Sequence, residues 1–170
     1  APDELEANPS MLDRLEAIRR CAAVRAGLAD SLDEAARGSR NRPFLVLLAP
    51  PRDATTLAEE PILATDVDVS ARALSMGRPH RALPLTSALC LAAAAKIDGS
   101  VAWDTAETLG DGAAPLRIGH PSGVMSVTAT VEKTDDGWRV DRVSAQRTAR
   151  RLMEGNVLVP QSRLASGSAS

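Results

Sequence analysis

Three short segments carry the side chains best suited to chemistry. Gly119-His120-Pro121-Ser122-Gly123 brackets an imidazole and a hydroxyl between two glycines. Such a turn can aim successive backbone N–H groups and a hydroxyl at one anion. Leu85-Thr86-Ser87 opens a long apolar run. If that run is a helix, its first N–H groups and positive dipole end would hold a carboxylate or steady an enolate-like charge. His80-Arg81 offers an acid or base near neutrality beside a guanidinium able to clamp a carboxylate. Each segment taken alone has a simpler explanation. Thr86 and Ser87 are ordinary capping types, the Gly119–Gly123 segment is an ordinary tight turn, and His80 beside Pro79 suits an exposed turn.

Other chemistries find no footing. The two histidines form no triad, because neither Ser nor Cys sits in a nucleophile-elbow pattern and no acidic orienter is identifiable. Gly110-Asp111-Gly112 lacks the strand–turn–helix setting of a dinucleotide site. No metal-ligand spacing is visible, and no metal or other cofactor is expected. Cys21 and Cys90 both fall inside apolar helical patterns, so both are expected as buried free thiols, in keeping with a reducing cytoplasm. Aromatics are 2% of the chain, with no Tyr and one Phe, which leaves no rings for stacking on bases. The 20 basic residues are interspersed with 22 acidic ones, so no polyanion-binding face is expected; nucleic acid is excluded as a partner. The longest apolar stretch, Leu85–Ala95, is far short of the roughly 20 residues a membrane span needs. A membrane is therefore not expected as a partner either.

The elements that must position these residues follow from periodicity. Asn8-Pro9 marks a helix start, with Asn as cap and Pro in the first turn. Met11, Leu15, Ile18 and Ala22 recur on one face, with Arg14, Glu16, Arg19 and Arg20 opposite, and Gly27 ends the helix. Ser31 caps a second helix over Leu32–Arg37, stopped by Gly38. Phe44–Ala49 is an unbroken apolar run between prolines and reads as a buried strand. Residues 53–61 read as loop. Val67, Val69, Ala71 and Ala73 alternate with polar residues, a second strand. Leu85–Ile97 is apolar nearly all round and reads as a buried helix, with Gly99 as its stop. Leu116–Ile118 is a short strand. Residues 126–131 and 138–143 form a hairpin about Asp135-Asp136-Gly137, with a bulge on the return strand. Thr148–Val159 reads as a last extended segment bending near Gly155, and Leu164–Ser170 as a disordered tail. The class is α+β. With 44% hydrophobic residues in 170, one domain can build a core, and it must build it from Ala, Leu, Val and Ile.

Several segments together resemble the PrpF family, whose members include 2-methylaconitate cis–trans isomerases and are relatives of the diaminopimelate epimerases. They are Leu74-Ser-Met-Gly-Arg-Pro-His-Arg-Ala82, Leu85-Thr-Ser-Ala-Leu-Cys-Leu-Ala-Ala-Ala-Ala95 and Arg117-Ile-Gly-His-Pro-Ser-Gly123, followed by Arg147-Thr-Ala-Arg-Arg-Leu-Met-Glu-Gly155 with Val157-Leu-Val-Pro160. The opening helix, Leu12–Leu28, fits as well. The resemblance implies the diaminopimelate-epimerase fold: two similar domains, each a curved, mostly antiparallel sheet wrapped around a central helix, with the active site between them. Residues 1–163 would be the C-terminal domain, incomplete on its N-terminal side, with Leu85–Ile97 as its central helix and the first domain absent.

The resemblance also implies a cofactor-independent shift of a proton and double bond in a tricarboxylate such as 2-methylaconitate, or tautomerisation of oxalomesaconate. Thr86, Ser87, His120, Ser122, Gly123 and His80 would then be substrate-side residues of a carboxylate-binding wall. No catalytic residue is expected in this chain. The epimerases carry a catalytic Cys where Leu85-Thr86 stands, Cys90 lies about a turn further in, and neither Lys96 nor Lys133 suits the proton-handling Lys, which would belong to the first domain. The chain begins with Ala1 rather than Met, as expected of a fragment, a trimmed chain or a split gene product. Its expected partners are the missing half or a second copy of itself, since a half-built sheet leaves edges and apolar surface uncovered. A truncated, non-catalytic remnant and a small-molecule sensor are the rival readings.

Overall fold

In the computed structural model, residues 2–38, 41–106, 114–146, 151–156 and 158–160 are described. The chain opens with three helices: α1 (Pro2–Glu6), α2 (Pro9–Arg25) and α3 (Leu32–Arg37). The Asn8 side chain accepts from the Met11 N–H at the head of α2, and the Ser31 hydroxyl accepts from the Glu34 N–H at the head of α3. Both satisfy backbone donors that a helix start otherwise leaves open. Then come β1 (Leu45–Ala49), β2 (Ala54–Thr55), β3 (Pro61–Ile62), β4 (Val69–Ser75) and β5 (Arg78–Pro79), followed by α4 (Leu85–Ala94) and α5 (Val101–Thr105). β6 (Leu116–His120), β7 (Gly123–Thr134) and β8 (Gly137–Ala145) complete the described elements.

The main sheet runs β1-β4-β6-β7-β8, with β5 pairing on β4. All its pairs are antiparallel except β4 with β6. The sheet curls over α4. Val69, Ala71 and Ala73 from β4, Leu116 and Ile118 from β6, and Val127 and Ala129 from β7 pack with Ala88, Leu91 and Ala92 of the helix in one buried core. The two-residue period of the strands puts every second residue on that concave face. The alanines of α4 let the backbone of the helix come close to the sheet, which a Leu-rich helix could not. Ile118, at 0% exposure, sits at the centre. On β8, Thr130 faces Arg142 and Val131 faces Val140, so Asp141 is the extra residue of a bulge.

Three readings need correction. α4 ends at Ala94 rather than Ile97, and its buried face is one-sided: Ser87, Ala88, Leu91 and Ala92 are covered, while Thr86 and Cys90 are exposed. The sheet of this chain curls over one side of the helix only. Cys90 is therefore an exposed thiol, and so is Cys21. In α2 the buried stripe is Leu15, Arg19 and Ala23: of the expected Met11, Leu15, Ile18 and Ala22 only Leu15 is buried, with Met11 and Ile18 exposed and Ala22 half-buried. Arg19 lies on the inner side because its guanidinium pairs with Glu16 and donates to the carbonyls of Ala35 and Arg42, stapling α2 to α3 and to the approach of β1. A helix absent from the sequence reading, α5, starts at Ser100, whose hydroxyl accepts from the Trp103 N–H. Among the described residues no helix is long and apolar enough to cross a membrane. Residues 148–150 and 157 of the final segment, the 164–170 tail and Gly110–Gly112 lie outside the described residues; residues 151–156 and 158–160 carry no helix or strand.

Candidate functional site

Strand β4, helix α4 and strand β6 form a parallel crossover. In such units ligands gather beyond the carboxyl ends of the strands, where the connecting helix begins. The chain leaves β4 through a tight turn at Met76 (φ +53°) and Gly77 (φ +77°), runs back as β5, and enters α4 from residues 80–84. β6 ends at His120, and Pro121-Ser122 turns the chain into β7. The Ser122 hydroxyl donates to the Arg81 carbonyl at 2.6 Å. That bond joins the two segments singled out by composition: the entry to α4 and the Gly119–Gly123 turn.

Among the described residues no side chain caps α4. Pro84 holds the cap position, and Thr86 and Ser87 stand inside the first turn, Thr86 exposed and Ser87 buried. The expected capping role is therefore not theirs, and among the described residues no side chain answers the N–H groups of that turn. These groups, with the dipole, are suited to a carboxylate.

His120 is buried, 7% exposed, at the end of β6. Its Nδ1 accepts from the Ser122 N–H at 3.2 Å, which leaves the proton on Nε2 in the neutral ring. Burial, followed by the positive charge of Arg72, pushes the imidazole below its ordinary value. At neutral pH His120 is thus an uncharged N–H donor rather than a cation. Gly123 has φ +136° and open space where a Cβ would be, so conformation, not crowding, calls for glycine there. Gly119 is the opposite case. Its added Cβ would lie 3.1 Å from Cγ1 of Val67, a stiff β-branched neighbour.

His80 stands apart from this group. Its N–H donates to the Ala73 carbonyl and extends the β4–β5 pairing, and its Nδ1 accepts from the Ala82 N–H. The exposed ring is used within its own turn, and among the described residues no bond joins it to His120 or Ser122. Arg81 pairs with Asp3, both exposed.

Two features were missed in the sequence. Residues 53–62 are an ordered flap, β2 pairing with β3, and the Leu57 N–H donates to the Pro121 carbonyl at 2.7 Å. The buried Thr56 hydroxyl accepts from the N–H groups of Ala58 and Glu60 and shapes the flap tip. The second is Arg72, read as one more polar residue of an alternating strand; its charge bears on His120. Among the described residues no cluster of His, Cys, Asp or Glu could hold a metal ion.

Comparison with known proteins agrees with this architecture. The sequence model of the PrpF protein family matches residues 1–160. A 2-methyl-aconitate isomerase of Shewanella oneidensis is 36% identical over 159 residues, 94% of this chain and 39% of that protein. A 3-methylitaconate isomerase of Eubacterium barkeri is 34% identical, over 96% of this chain and 42% of its own length. A (4E)-oxalomesaconate Delta-isomerase of Novosphingobium sp. is 31% identical, over 92% and 38%. The crystal structure of a methylitaconate-delta-isomerase superposes on the whole chain with a TM-score of 0.79 at 32% identity, covering 43% of that chain. The curled half-barrel over a central helix is thus a diaminopimelate-epimerase-like fold. The chain spans less than half the length of the relatives it matches, and it belongs to the PrpF family.

Proposed function

We propose that this chain is the C-terminal part of a cofactor-independent isomerase that moves a proton and its double bond in an unsaturated tricarboxylate such as 2-methylaconitate. The chain supplies a carboxylate-binding wall, and the groups that take and return the proton belong to an N-terminal domain. One observation carries the reading: the Ser122–Arg81 bond holds the uncapped head of α4 and the buried, neutral His120 at the same end of the parallel β4–β6 pair. Removing a proton beside a carboxylate drives negative charge onto that carboxylate. Fixed N–H donors lower the barrier by meeting that charge as it forms. The first turn of α4 and the Nε2–H of His120 are such donors, Thr86 adds a hydroxyl at the rim, and Ser122, whose proton goes to the Arg81 carbonyl, holds the two segments together. Relatives named for 2-methylaconitate, 3-methylitaconate and oxalomesaconate all act on unsaturated polycarboxylates, which supports the substrate class.

The test is isomerisation of 2-methylaconitate and of aconitate, followed by ultraviolet absorbance, with the chain alone and with a longer protein carrying an N-terminal half. Activity only in the longer protein is the expected result. Inactivity of both on these substrates would shift the reading to an oxalomesaconate tautomerase, an activity for which a relative 31% identical over 157 residues is named. Inactivity there too would leave a non-catalytic binding chain and overturn the isomerase.

A further inference from the structure

The outer edge of β4 is uncovered at one point. β5 pairs with Leu74 and Ser75, the His80 N–H reaches back to the Ala73 carbonyl, and β6 pairs with Val69 and Ser70. Between them, at residues 71–72, neither strand covers the edge. The Ala73 carbonyl points to this edge, so the carbonyl two residues earlier, that of Ala71, points there too. Continuing the β4–β6 register puts Pro121 opposite, and proline has no N–H to offer. Instead Arg72 bends its guanidinium over the edge, and Nη1 donates to the Ala71 carbonyl at 2.8 Å. The guanidinium therefore sits in the gap between the ends of β5 and β6, which is also where Ser122 meets Arg81.

What the guanidinium lacks is an acid. Four described arginines are not fully exposed: Arg19, Arg20, Arg72 and Arg117. Arg19 and Arg20 hold Glu16, and Arg117 holds Asp68. Arg72 has no carboxylate partner, and its remaining donors have no acceptor among the described residues. A half-buried cation left unpaired is costly, and Arg is the side chain whose planar fork fits a carboxylate. Burial, with the nearby charge of Arg52, also works against its protonated form, as in a site awaiting an anion.

We propose that Arg72 is a carboxylate subsite of this chain, taking one carboxylate of a polycarboxylate ligand. As a deepening of the isomerase reading it rests on that reading for the ligand class, and it names a binding residue rather than a proton carrier.

Tricarballylate, a saturated tricarboxylate, serves as probe in calorimetric titrations of the 170-residue chain. Arg72→Gln is expected to weaken binding about tenfold or more, in line with loss of a charge-assisted pair. Arg72→Lys, which keeps the charge and loses the fork, should fall between Gln and the parent. Arg139→Gln, on the distant β7–β8 hairpin, should bind as the parent does. Thermal melts establish that each variant is folded; should Arg72→Gln fail to fold, Arg72→Lys carries the comparison. Equal affinity of parent and Arg72 variants, or no binding by the parent at millimolar ligand, overturns the proposal. The two readings fail separately. Arg72-dependent binding without isomerase activity in the longer protein spares the subsite, whereas isomerisation that is indifferent to Arg72 spares only the enzyme.

Discussion

Replacing Ser122 by Ala removes a single hydroxyl, and the structure says what that hydroxyl holds. Its 2.6 Å bond to the Arg81 carbonyl joins the turn after β6 to the segment that enters α4, across 41 residues of chain. A neutral hydrogen bond of this kind contributes about 0.5–1.5 kcal/mol net, and Ser122 is exposed, so the lower half of that range applies. For a chain of this size a loss of about 1 kcal/mol lowers the melting temperature by roughly 2–4 °C. If the bond also pre-positions the donors for a carboxylate, the same energy appears in affinity, as up to about fivefold weaker binding of tricarballylate. Ser122→Thr keeps the hydroxyl and should retain most of both. The assays are a thermal melt and a titration on the three proteins. A parental melting temperature and affinity in Ser122→Ala would show that the bond positions nothing. A lower melting temperature with parental affinity would keep the clamp and remove Ser122 from the site.

Three further outcomes follow from the geometry. Ile118→Ala, at the fully buried centre of the core, should cost about 2–5 kcal/mol, read from the urea midpoint at constant slope. Arg19→Ala should destabilise by about 2–4 kcal/mol by taking from Glu16 one of its two arginine partners and from the carbonyls of Ala35 and Arg42 their guanidinium donor, and limited proteolysis should then cut first between α2 and β1. His120 is held below its ordinary value in the folded chain, so on acidification the unfolded chain binds the proton first. Its contribution is whole above the unfolded value of about 6.5 and is lost as the pH falls through the lowered folded value; the corresponding part of the acid loss should vanish in His120→Gln.

Local chemistry was the most legible part of the sequence. Asn8, Ser31 and Gly38 act where their types and positions place them, because capping needs only neighbours within a turn. The alternation in β4 and β7 gave the core face correctly for the same reason. Thr86 and Ser87 misled as caps because Pro84 takes the position before them. Cys90 misled because apolarity around a helix reports what a chain can bury, whereas actual burial depends on how far the sheet extends. Of the six candidate residues, His120, Ser122 and Gly123 share one turn, and Ser122 ties it to the segment ahead of Thr86 and Ser87 through a bond that no local pattern announces. His80 falls outside that group. Arg72 was invisible, since nothing in an alternating strand distinguishes a solvated arginine from one curled over a strand edge beside a proline 49 residues on.

The free edge of β8 governs how the chain behaves in concentrated solution. Among the described strands β8 ends the sheet, and Trp138, Val140 and Val143 are exposed along it. An open edge of this kind is a template for pairing with another chain. Arg139, Asp141 and Arg142 stand among those apolar residues, Arg139 held by Glu132 and by the bulged Asp141, and they oppose such pairing with charge and a local kink. Charge is a defence that salt removes, because the screening length shrinks from about 10 Å at 0.1 M to about 3 Å at 1 M. Colloidal stability of this chain should therefore fall with ionic strength, the reverse of ordinary salting-in, and dilute low-salt buffer is the condition in which it remains dispersed.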